Sequence, residues 1–378
     1  MRKTKPATVA AQAGGAVDPS SGGVVPSIQP STTFVRDRDY ELQNGSYSYA
    51  RYHNDTTAIA EGVLAELEGA AAALVFPSGM AAIAAVFRTI PTGGAAIIQS
   101  GIYHGTSTWV RDFCARRDVS LHEVDASDAA ALDRLCRAHR ADIVLVETPS
   151  NPWLKVVDIR SASRAAKQAG AILLVDSTAA TPILSQPLAL GADIVMHSST
   201  KAINGHSDVL SGVLATAAVN PMWQAIEAER NGAGTVIGPF EAWLLVRGMR
   251  TLPLRVERMC QNAMQIAEFL HEHPGVEDVF YPGLPGFAGH DLAALQMQGG
   301  FGYLMSFLVK GDAADALRVA GRLNLFHRAT SLGGVESLIE HRHTIEPDSG
   351  IPVNLLRISV GIEDAQDLID DLGQALGQ

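Results

Sequence analysis

The chain alternates short runs of apolar residues with segments of helical periodicity, and this alternation limits its possible folds more than any other feature. Continuous apolar runs separated by helices are typical of a parallel sheet that helices cover on both faces. The pattern therefore predicts an α/β fold. The predicted strands are Ala73–Phe76, Ala95–Gln99, Ile143–Val146, Ile172–Val175 and Ile194–His197, and the predicted helices between them include Asp128–His139 and Ile159–Gln168.

The patterning changes along the chain and divides it into three segments. Residues 1–50 are rich in Gly, Pro, Ser and Thr without a sustained period, so we expect an extended arm that lies on its own chain or on a partner subunit. Residues 51–245 hold the alternation and are predicted to form the large α/β domain. Residues 246–378 mix strand and helix patterns, which predicts a smaller α+β domain with an antiparallel sheet. A long helix over Phe240–His271 is expected to link the two domains.

Composition excludes several classes of protein. The chain of 378 residues has 40 acidic and 29 basic side chains and a net charge of −11, so we expect neither a nucleic acid nor a membrane as its partner. Its apolar run Met80–Phe87 is too short to span a bilayer, and the N-terminus lacks the apolar region of a signal peptide. The three dispersed cysteines, Cys114, Cys136 and Cys260, predict neither disulfides nor structural zinc. We expect a cytoplasmic protein.

Reactive side chains follow two neighbouring strands of the predicted sheet. In open α/β sheets, ligands bind at the carboxyl ends of the strands. Asp176 follows a wholly apolar strand, where a carboxylate needs a partner. Lys201 follows the strand that ends at His197, and Ser198 and Thr200 beside it could bind a phosphate. Each feature alone is also compatible with a helix cap or an exposed lysine.

Two further turns add an anion site and a rigid loop. Ser78, Gly79 and Met80 precede an alanine-rich helix whose first N–H groups could bind an anion. Two prolines in Glu147–Pro152 make a stiff loop that can fix Asn151. An anion cradle, a strand-end carboxylate and a lysine 25 residues after it are what pyridoxal 5′-phosphate (PLP) needs. The sequence therefore predicts PLP as the cofactor.

Eight short motifs follow one another along the chain and match one enzyme family. They are Tyr49–Arg51, Phe76–Ala81, Glu147–Pro152, Asp176–Thr178, His197–Lys201, Asn204–Asp208, Ser331–Leu338 and Leu356–Gly361. Through them the chain, over about residues 20–375, resembles the Cys/Met-metabolism PLP enzymes, the group of cystathionine γ-synthase, γ-lyase and β-lyase. The resemblance implies a fold-type I PLP enzyme. It also implies a homotetramer, built as a dimer of dimers, whose active sites are shared between subunits.

The resemblance implies roles for the cofactor-binding residues. Lys201 would form the Schiff base and carry protons, and Asp176 would face the pyridine nitrogen. Tyr103 would stack on the ring. The residues expected around the phosphate are Ser78, Gly79, Met80, Ser198 and Thr200.

The resemblance also implies roles at the substrate end of the site. Tyr49 and Arg51 would reach the phosphate of the neighbouring subunit. Asn151 and Arg357 would bind the substrate carboxylate, a task that suits the planar fork of arginine. Ser331 would position the Schiff-base lysine through its backbone.

Four positions bear on the choice of substrate. In γ-synthases and γ-lyases of this family, acidic residues usually stand where this chain has Ser48 and Thr330, and they could receive the far ammonium group of cystathionine. Methionine γ-lyases usually have a cysteine near Gly105 or Thr106, and β-lyases usually have aromatic residues at the first two positions. We therefore interpret the chain as γ-synthase/γ-lyase-like, acting at the γ-carbon or β-carbon by elimination or replacement. Methionine γ-lyase, cystathionine β-lyase and O-acylhomoserine sulfhydrylase are the alternatives.

Other classes of protein fit fewer residues. Ser198–Lys201 matches the S-x-x-K motif of serine acyl-enzymes, but the chain has neither K-T-G nor S-D-N. The absence of G-x-G-x-x-G disfavours a Rossmann dehydrogenase. Glu340, His341 and His343 could suggest a zinc hydrolase, but their spacing favours a solvated helix end or loop. A non-catalytic binding protein on the same fold would not need the strand-end lysine.

Overall fold

The computed structural model describes residues 4–43 and 47–377, and the larger of its two sheets contains the strands of the predicted alternation. These strands are β1 (Ala72–Phe76), β2 (Ala95–Gln99), β3 (Ser120–Val124), β4 (Ile143–Glu147), β5 (Ile172–Asp176), β6 (Ile194–His197) and β7 (Gly212–Thr216). Within the described residues their spatial order is β1-β7-β6-β5-β4-β2-β3. Only β7 runs antiparallel to its neighbours, β1 and β6. The prediction of a mostly parallel sheet in an α/β fold is therefore confirmed.

Helices cover both faces of this sheet, which is why its central strands are apolar throughout. Side chains alternate between faces, so Val175 and Leu174 belong to different apolar clusters. The helices of this part are α2 (Asp55–Glu68), α3 (Gly79–Phe87), α4 (His104–Arg117), α5 (Ala129–Ala138), α6 (Ile159–Ala169), α7 (Thr181–Leu184), α8 (Pro221–Ala233) and α9 (Pro239–Met249). Helices α5 and α6 pack on one face, and α3, α4 and α8 pack on the other.

The second sheet is almost wholly antiparallel, as predicted for the C-terminal part. Its strands are β8 (Val276–Phe280), β9 (Leu304–Val309), β10 (His327–Arg328), β11 (Leu338–His341) and β12 (Leu355–Ser359). Their order in the described chain is β10-β11-β12-β9-β8, and only the short β10 runs parallel to its neighbour. The helices of this part are α10 (Leu252–Glu272), α11 (His290–Gln296), α12 (Ala313–Arg322), α13 (Arg342–Ile345) and α14 (Ala365–Leu376). An apolar cluster joins α10, α12 and α14 to the sheet.

The prediction of one continuous helix over Phe240–His271 is wrong, because α9 ends at Met249 and α10 begins at Leu252. Pro253 lies in the first turn of α10. Proline has no N–H to donate within a helix, so it is tolerated in a first turn and ends a helix elsewhere. The division into residues 1–50, 51–245 and 246–378 stays a prediction, and its second boundary falls inside α9.

The N-terminal segment lies partly on its own chain. A short helix, α1 (Pro6–Ala11), packs against α2 and α10. Further along, the Trp243 indole Nε1 donates a hydrogen bond to Pro26 O at 3.0 Å. Residues 44–46 of the predicted arm lie outside the described residues. Among the helices that the structure describes, none is long and apolar enough to cross a membrane.

Candidate active site

The carboxyl ends of β1, β4, β5 and β6 surround a cavity of about 240 Å³, which the segment before β11 and strand β12 complete. This is the edge of the sheet at which the sequence analysis placed the reactive side chains. The predicted site residues that line the cavity are Ser78, Gly79, Met80, Tyr103, Asn151, Asp176, Ser198, Thr200, Lys201, Thr330, Ser331 and Arg357.

Lys201 lies half-buried in this cavity, just after β6. Its Nζ atom donates a hydrogen bond to Ser331 Oγ at 2.9 Å. Burial and the charge of Arg357 together lower the pKa of the Lys201 amine to about 8, although the charge of Glu340 opposes both effects. At pH 7 about a tenth of the amine is therefore neutral, far more than for an ordinary lysine, and only the neutral amine can accept a proton.

The contact between Ser331 and Lys201 differs from the one expected. It contacts Lys201 through its side-chain hydroxyl, so the predicted contact through the backbone is wrong. Its backbone oxygen accepts a hydrogen bond from Arg357 Nη2 at 2.9 Å instead. With φ at 136°, Ser331 has a backbone conformation that residues other than glycine rarely adopt. The surrounding contacts therefore keep a strained residue in place between Lys201 and Arg357.

Asp176 ends β5 as a buried carboxylate. Its Oδ1 atom accepts hydrogen bonds from Thr178 N at 2.9 Å and from Thr178 Oγ1 at 2.6 Å. Burial raises the pKa of Asp176, although the two bonds from Thr178 oppose the rise. A cationic partner in the cavity would therefore stabilise this carboxylate.

Glu147 is a second buried carboxylate, and the sequence analysis gave it no role. It lies opposite Asp176 in the β4–β5 pair. Burial and the charge of Asp176 raise the pKa of Glu147 to about 8. Its Oε2 accepts a hydrogen bond from Tyr103 N at 2.9 Å, and its Oε1 accepts one from Asn151 N at 2.6 Å. Its position at the end of an apolar strand, as for Asp176, was the signal that could have revealed it.

The first turn of α3 forms an anion cradle. Ser78 caps the helix, since its Oγ accepts a hydrogen bond from the N–H group of the third helical residue at 3.1 Å. The N–H groups of Gly79 and Met80 have no partner within the helix, as at any helix N-terminus. A Cβ atom on Gly79 would lie 2.9 Å from Met196 Cε and 3.0 Å from Ser198 Cβ, so a larger residue here would have to displace both neighbours.

The two hydroxyl residues before Lys201 differ in what they can offer a phosphate. Thr200 Oγ1 donates to Ser211 O at 3.0 Å and accepts from Ser211 N at 2.9 Å, so its proton is committed to the protein. Ser198 N donates to Thr178 Oγ1 at 2.8 Å, which fixes its backbone beside Gly79. Ser198 is therefore the better placed of the two hydroxyl donors.

These residues fit PLP. One cavity is lined by a lysine amine bonded to a hydroxyl, a buried carboxylate that a cation would stabilise and a helix N-terminus. Lys201 would hold the cofactor covalently, Asp176 would face its ring nitrogen, and Gly79, Met80 and Ser198 would hold its phosphate. Tyr103, 44% exposed and lining the same cavity, presents an aromatic face to the ring.

Arg357 and Asn151 meet at the other end of the cavity, as their predicted shared role requires. Arg357 Nη1 donates a hydrogen bond to Asn151 Oδ1 at 3.0 Å. Burial lowers the pKa of Arg357 to about 10, and the charge of Glu340 opposes this change. The side chain stays cationic at neutral pH, so it can bind a carboxylate.

The expectation of a solvated helix end or loop is wrong for Glu340 and His341, whereas His343 lies half-buried in the short helix α13. Glu340 and His341 belong to β11 and are 7% and 8% exposed. The ring of His341 bonds through Nδ1 to Thr344 Oγ1 and through Nε2 to Val353 O, each at 2.6 Å. Glu340 pairs with arginines, which leaves neither residue available as a zinc ligand.

The arm residues Ser48, Tyr49 and Arg51 do not line the cavity of their own chain. Arg51 Nη1 donates to Asn231 O at 2.7 Å, and its guanidinium lies 5.6 Å from the ring centre of Tyr49. The Tyr49 side chain is 44% exposed. Their expected reach into a neighbouring subunit stays a prediction.

Comparisons with known proteins agree with this geometry. The family model described as "Cys/Met metabolism PLP-dependent enzyme" matches residues 7–377. A cystathionine gamma-synthase of Mycobacterium tuberculosis is 42% identical over 98% of this chain and 97% of its own, and a cystathionine gamma-lyase of Bacillus subtilis is 40% identical over 95% and 96%. The crystal structure of a cystathionine gamma synthase from Xanthomonas oryzae pv. oryzae, in complex with aminoacrylate and cysteine, superposes with a TM-score of 0.94. The two sequences are 38% identical, and the superposition covers 99% of this chain and 98% of the Xanthomonas chain.

These matches decide between the classes that the sequence left open. A serine acyl-enzyme, a dehydrogenase, a zinc hydrolase and a non-catalytic binding protein are excluded, and PLP is confirmed as the cofactor. The protein is a transsulfuration-type enzyme with a small amino acid as its substrate. Because the family model matches nearly the whole chain, the protein belongs to the family of Cys/Met-metabolism PLP-dependent enzymes.

Proposed function

We propose that the protein catalyses elimination or replacement at the γ-carbon of a sulfur-containing or O-acylated amino acid, in the manner of cystathionine γ-synthase and γ-lyase. The observation that carries the proposal is the position of Lys201, bonded to Ser331 at 2.9 Å in the cavity that Asp176 and Arg357 also line. The γ-synthase and γ-lyase relatives support the choice of the γ-carbon.

The residues of the cavity have different roles in the reaction. Arg357 and Asn151 bind the α-carboxylate of the substrate, which brings its α-carbon towards Lys201. The neutral Lys201 amine takes the α-proton and, because its flexible stem can move, a β-proton as well. PLP, when bound, withdraws electrons from the α-carbon. Loss of a γ-substituent needs both proton transfers, whereas loss of a β-substituent needs only the first.

A second candidate has support from two neutral side chains. Ser48 and Thr330 carry no charge, and the Thr330 hydroxyl donates a hydrogen bond to Glu340 Oε1 at 2.6 Å. They offer no carboxylate to the far ammonium group of cystathionine. This favours replacement by a small thiol on O-acylhomoserine, or cleavage of methionine, as the alternative. Cleavage of the β-bond, as in cystathionine β-lyase, is the third possibility.

We further propose a homotetramer with shared sites, working in the cytoplasm. Exposed apolar side chains on the arm support the assembly, among them Val35 at 71% and Tyr40 at 77% exposure, because such residues are usually covered by another surface. Reduced, dispersed cysteines support the compartment.

The test is to identify the 2-oxo acid that the purified holoenzyme releases from L-cystathionine. Release of 2-oxobutyrate supports γ-cleavage, and release of pyruvate would replace it with β-cleavage. If neither forms, O-acylhomoserine is supplied with cysteine and, in a parallel reaction, with a small thiol. L-methionine is also supplied alone, and release of 2-oxobutyrate from it supports the second candidate. Cystathionine as product supports the γ-synthase activity, and a thioether formed only with the small thiol supports the second candidate. A holoenzyme inactive in all these reactions would contradict the proposal.

A further inference from the structure

A group of buried charges lies directly behind Arg357. Glu340 stands opposite Arg357 in the antiparallel pair β11–β12. Arg342 and Glu346 complete the group, and all four residues are at most 7% exposed. Two carboxylates and two guanidinium groups balance in charge, so the group can be buried without a net charge.

Glu340 is shared between the two arginines through a single oxygen. Its Oε2 atom lies 2.6 Å from Arg357 Nη2 and 2.7 Å from Arg342 Nη1. Its Oε1 atom accepts the hydrogen bond from Thr330. Arg342 also pairs with Glu346. The interaction of Glu340 with Arg342 therefore weakens its interaction with Arg357, which stays available to an anion.

Arg357 has donors left for a ligand. Its Nη1 and Nη2 atoms bind Asn151 Oδ1 and Ser331 O, and Nη2 also meets Glu340. Its Nε atom is buried and has no hydrogen-bond partner among the described residues. A carboxylate that arrives at Arg357 therefore competes with Glu340 for the same cation.

We infer that Arg342 is a positioning residue for substrate binding, which holds Glu340 back so that Arg357 keeps its affinity for the α-carboxylate of the substrate. Arg342 lines the active-site cavity itself, so no intervening residue separates it from the site. This inference rests on the role proposed above for Arg357. Without Arg342, Glu340 would interact more strongly with Arg357 and repel an incoming carboxylate.

The test uses the Arg342→Gln variant of the holoenzyme. We expect KM to rise by about tenfold while kcat stays within about twofold, because the loss lies in binding the ground state and the transition state alike. The dissociation constant of L-alanine, an amino acid without a leaving group, should rise by the same factor in calorimetric titrations. Glu346→Gln is the matched control, since it removes the other partner of Arg342 and should leave both constants near the wild-type values.

A second substitution separates this role from a merely structural one. In the Arg342→Gln/Glu340→Gln double variant the competing carboxylate is gone, so KM and the L-alanine affinity should recover towards the wild-type values. Damage to the fold would instead make the double variant worse than the single one, and that result would overturn the inference. If Arg342→Gln does not fold, Arg342→Met, which also removes the charge but keeps a long side chain, makes the same comparison with and without Glu340→Gln.

A wild-type L-alanine affinity in folded Arg342→Gln would also overturn the inference. The Arg357→Gln variant shows which claim has then failed. If Arg357→Gln weakens L-alanine binding and Arg342→Gln does not, only the role of Arg342 is wrong. If neither substitution changes L-alanine binding, the role of Arg357 in the proposed function is wrong as well.

Discussion

Lys201 lies beside Arg357, and burial together with that charge lowers the pKa of its amine to about 8. The amine is free only in the enzyme–substrate complex, because in the resting holoenzyme Lys201 would hold the cofactor covalently. Since the free amine takes up a proton only when it is neutral, kcat should fall on the acid side of about pH 8, by about tenfold for each pH unit. The measurement is the pH profile of kcat in the wild-type enzyme.

The Glu340→Gln variant identifies the group that titrates. The charge of Glu340 raises the pKa of Lys201, so its removal should move the acid limb to lower pH. Glu147 also titrates near pH 8, because burial and the charge of Asp176 raise its pKa. An acid limb that stays in place in Glu340→Gln would point to Glu147 and contradict the assignment to Lys201.

Among the elements, most strands buried on both faces were predictable from the sequence, although the buried strand β7 was not, and contacts that depend on distant partners were missed. Strands β1, β2, β4, β5 and β6 have continuous apolar runs and match the prediction. The edge strand β3 is partly exposed, and β7 is a Gly–Val–Leu–Ala–Thr segment whose pattern resembles a loop as much as a strand. The strand-end residues of the site were predicted for the same reason. The Glu340–Arg342 contact was missed, because it depends on how β11 faces β12.

Asn54 caps helix α2 and also holds the N-terminal segment to it. Asn54 Oδ1 accepts hydrogen bonds from Thr56 N at 2.9 Å and Thr57 N at 3.3 Å, and its Nδ2 donates to Gln29 O at 2.8 Å. Asn54→Ala should lower the free energy of unfolding by about 2 kcal/mol, because it removes the cap and leaves the half-buried Gln29 carbonyl without its donor. Urea unfolding of the holoenzyme measures the change.

The matched control is Asp128→Ala, which removes the cap of α5. Asp128 Oδ1 accepts hydrogen bonds from Ala130 N and Ala131 N, each at 3.0 Å, and the residue is exposed. Its loss should cost about 1 kcal/mol. If the two variants lose the same stability, the bond from Asn54 to Gln29 contributes nothing, and the N-terminal segment is not held to α2 in this way.

For the whole molecule, the arm shows how the subunits would depend on one another. Tyr49 and Arg51 lie outside the cavity of their own chain, and exposed apolar side chains precede them. If the arm of one subunit completes the cavity of the next, every site draws Lys201 from one chain and Arg51 from another. Two different inactive variants could then restore each other in a mixed assembly.

Mixing Lys201→Ala with Arg51→Ala tests this arrangement, because each variant alone should be inactive. In a mixed dimer, one site combines both substitutions, whereas the other has an intact Lys201 and receives an intact Arg51 from its neighbour. Random mixing makes half of the dimers hybrid, so about a quarter of the wild-type activity should return after co-expression or after joint unfolding and refolding. Tyr49→Ala replaces Arg51→Ala if the loss of the Arg51 bond to Asn231 impairs folding. Activity that stays absent in hybrids isolated with two different affinity tags would mean that each arm serves its own chain.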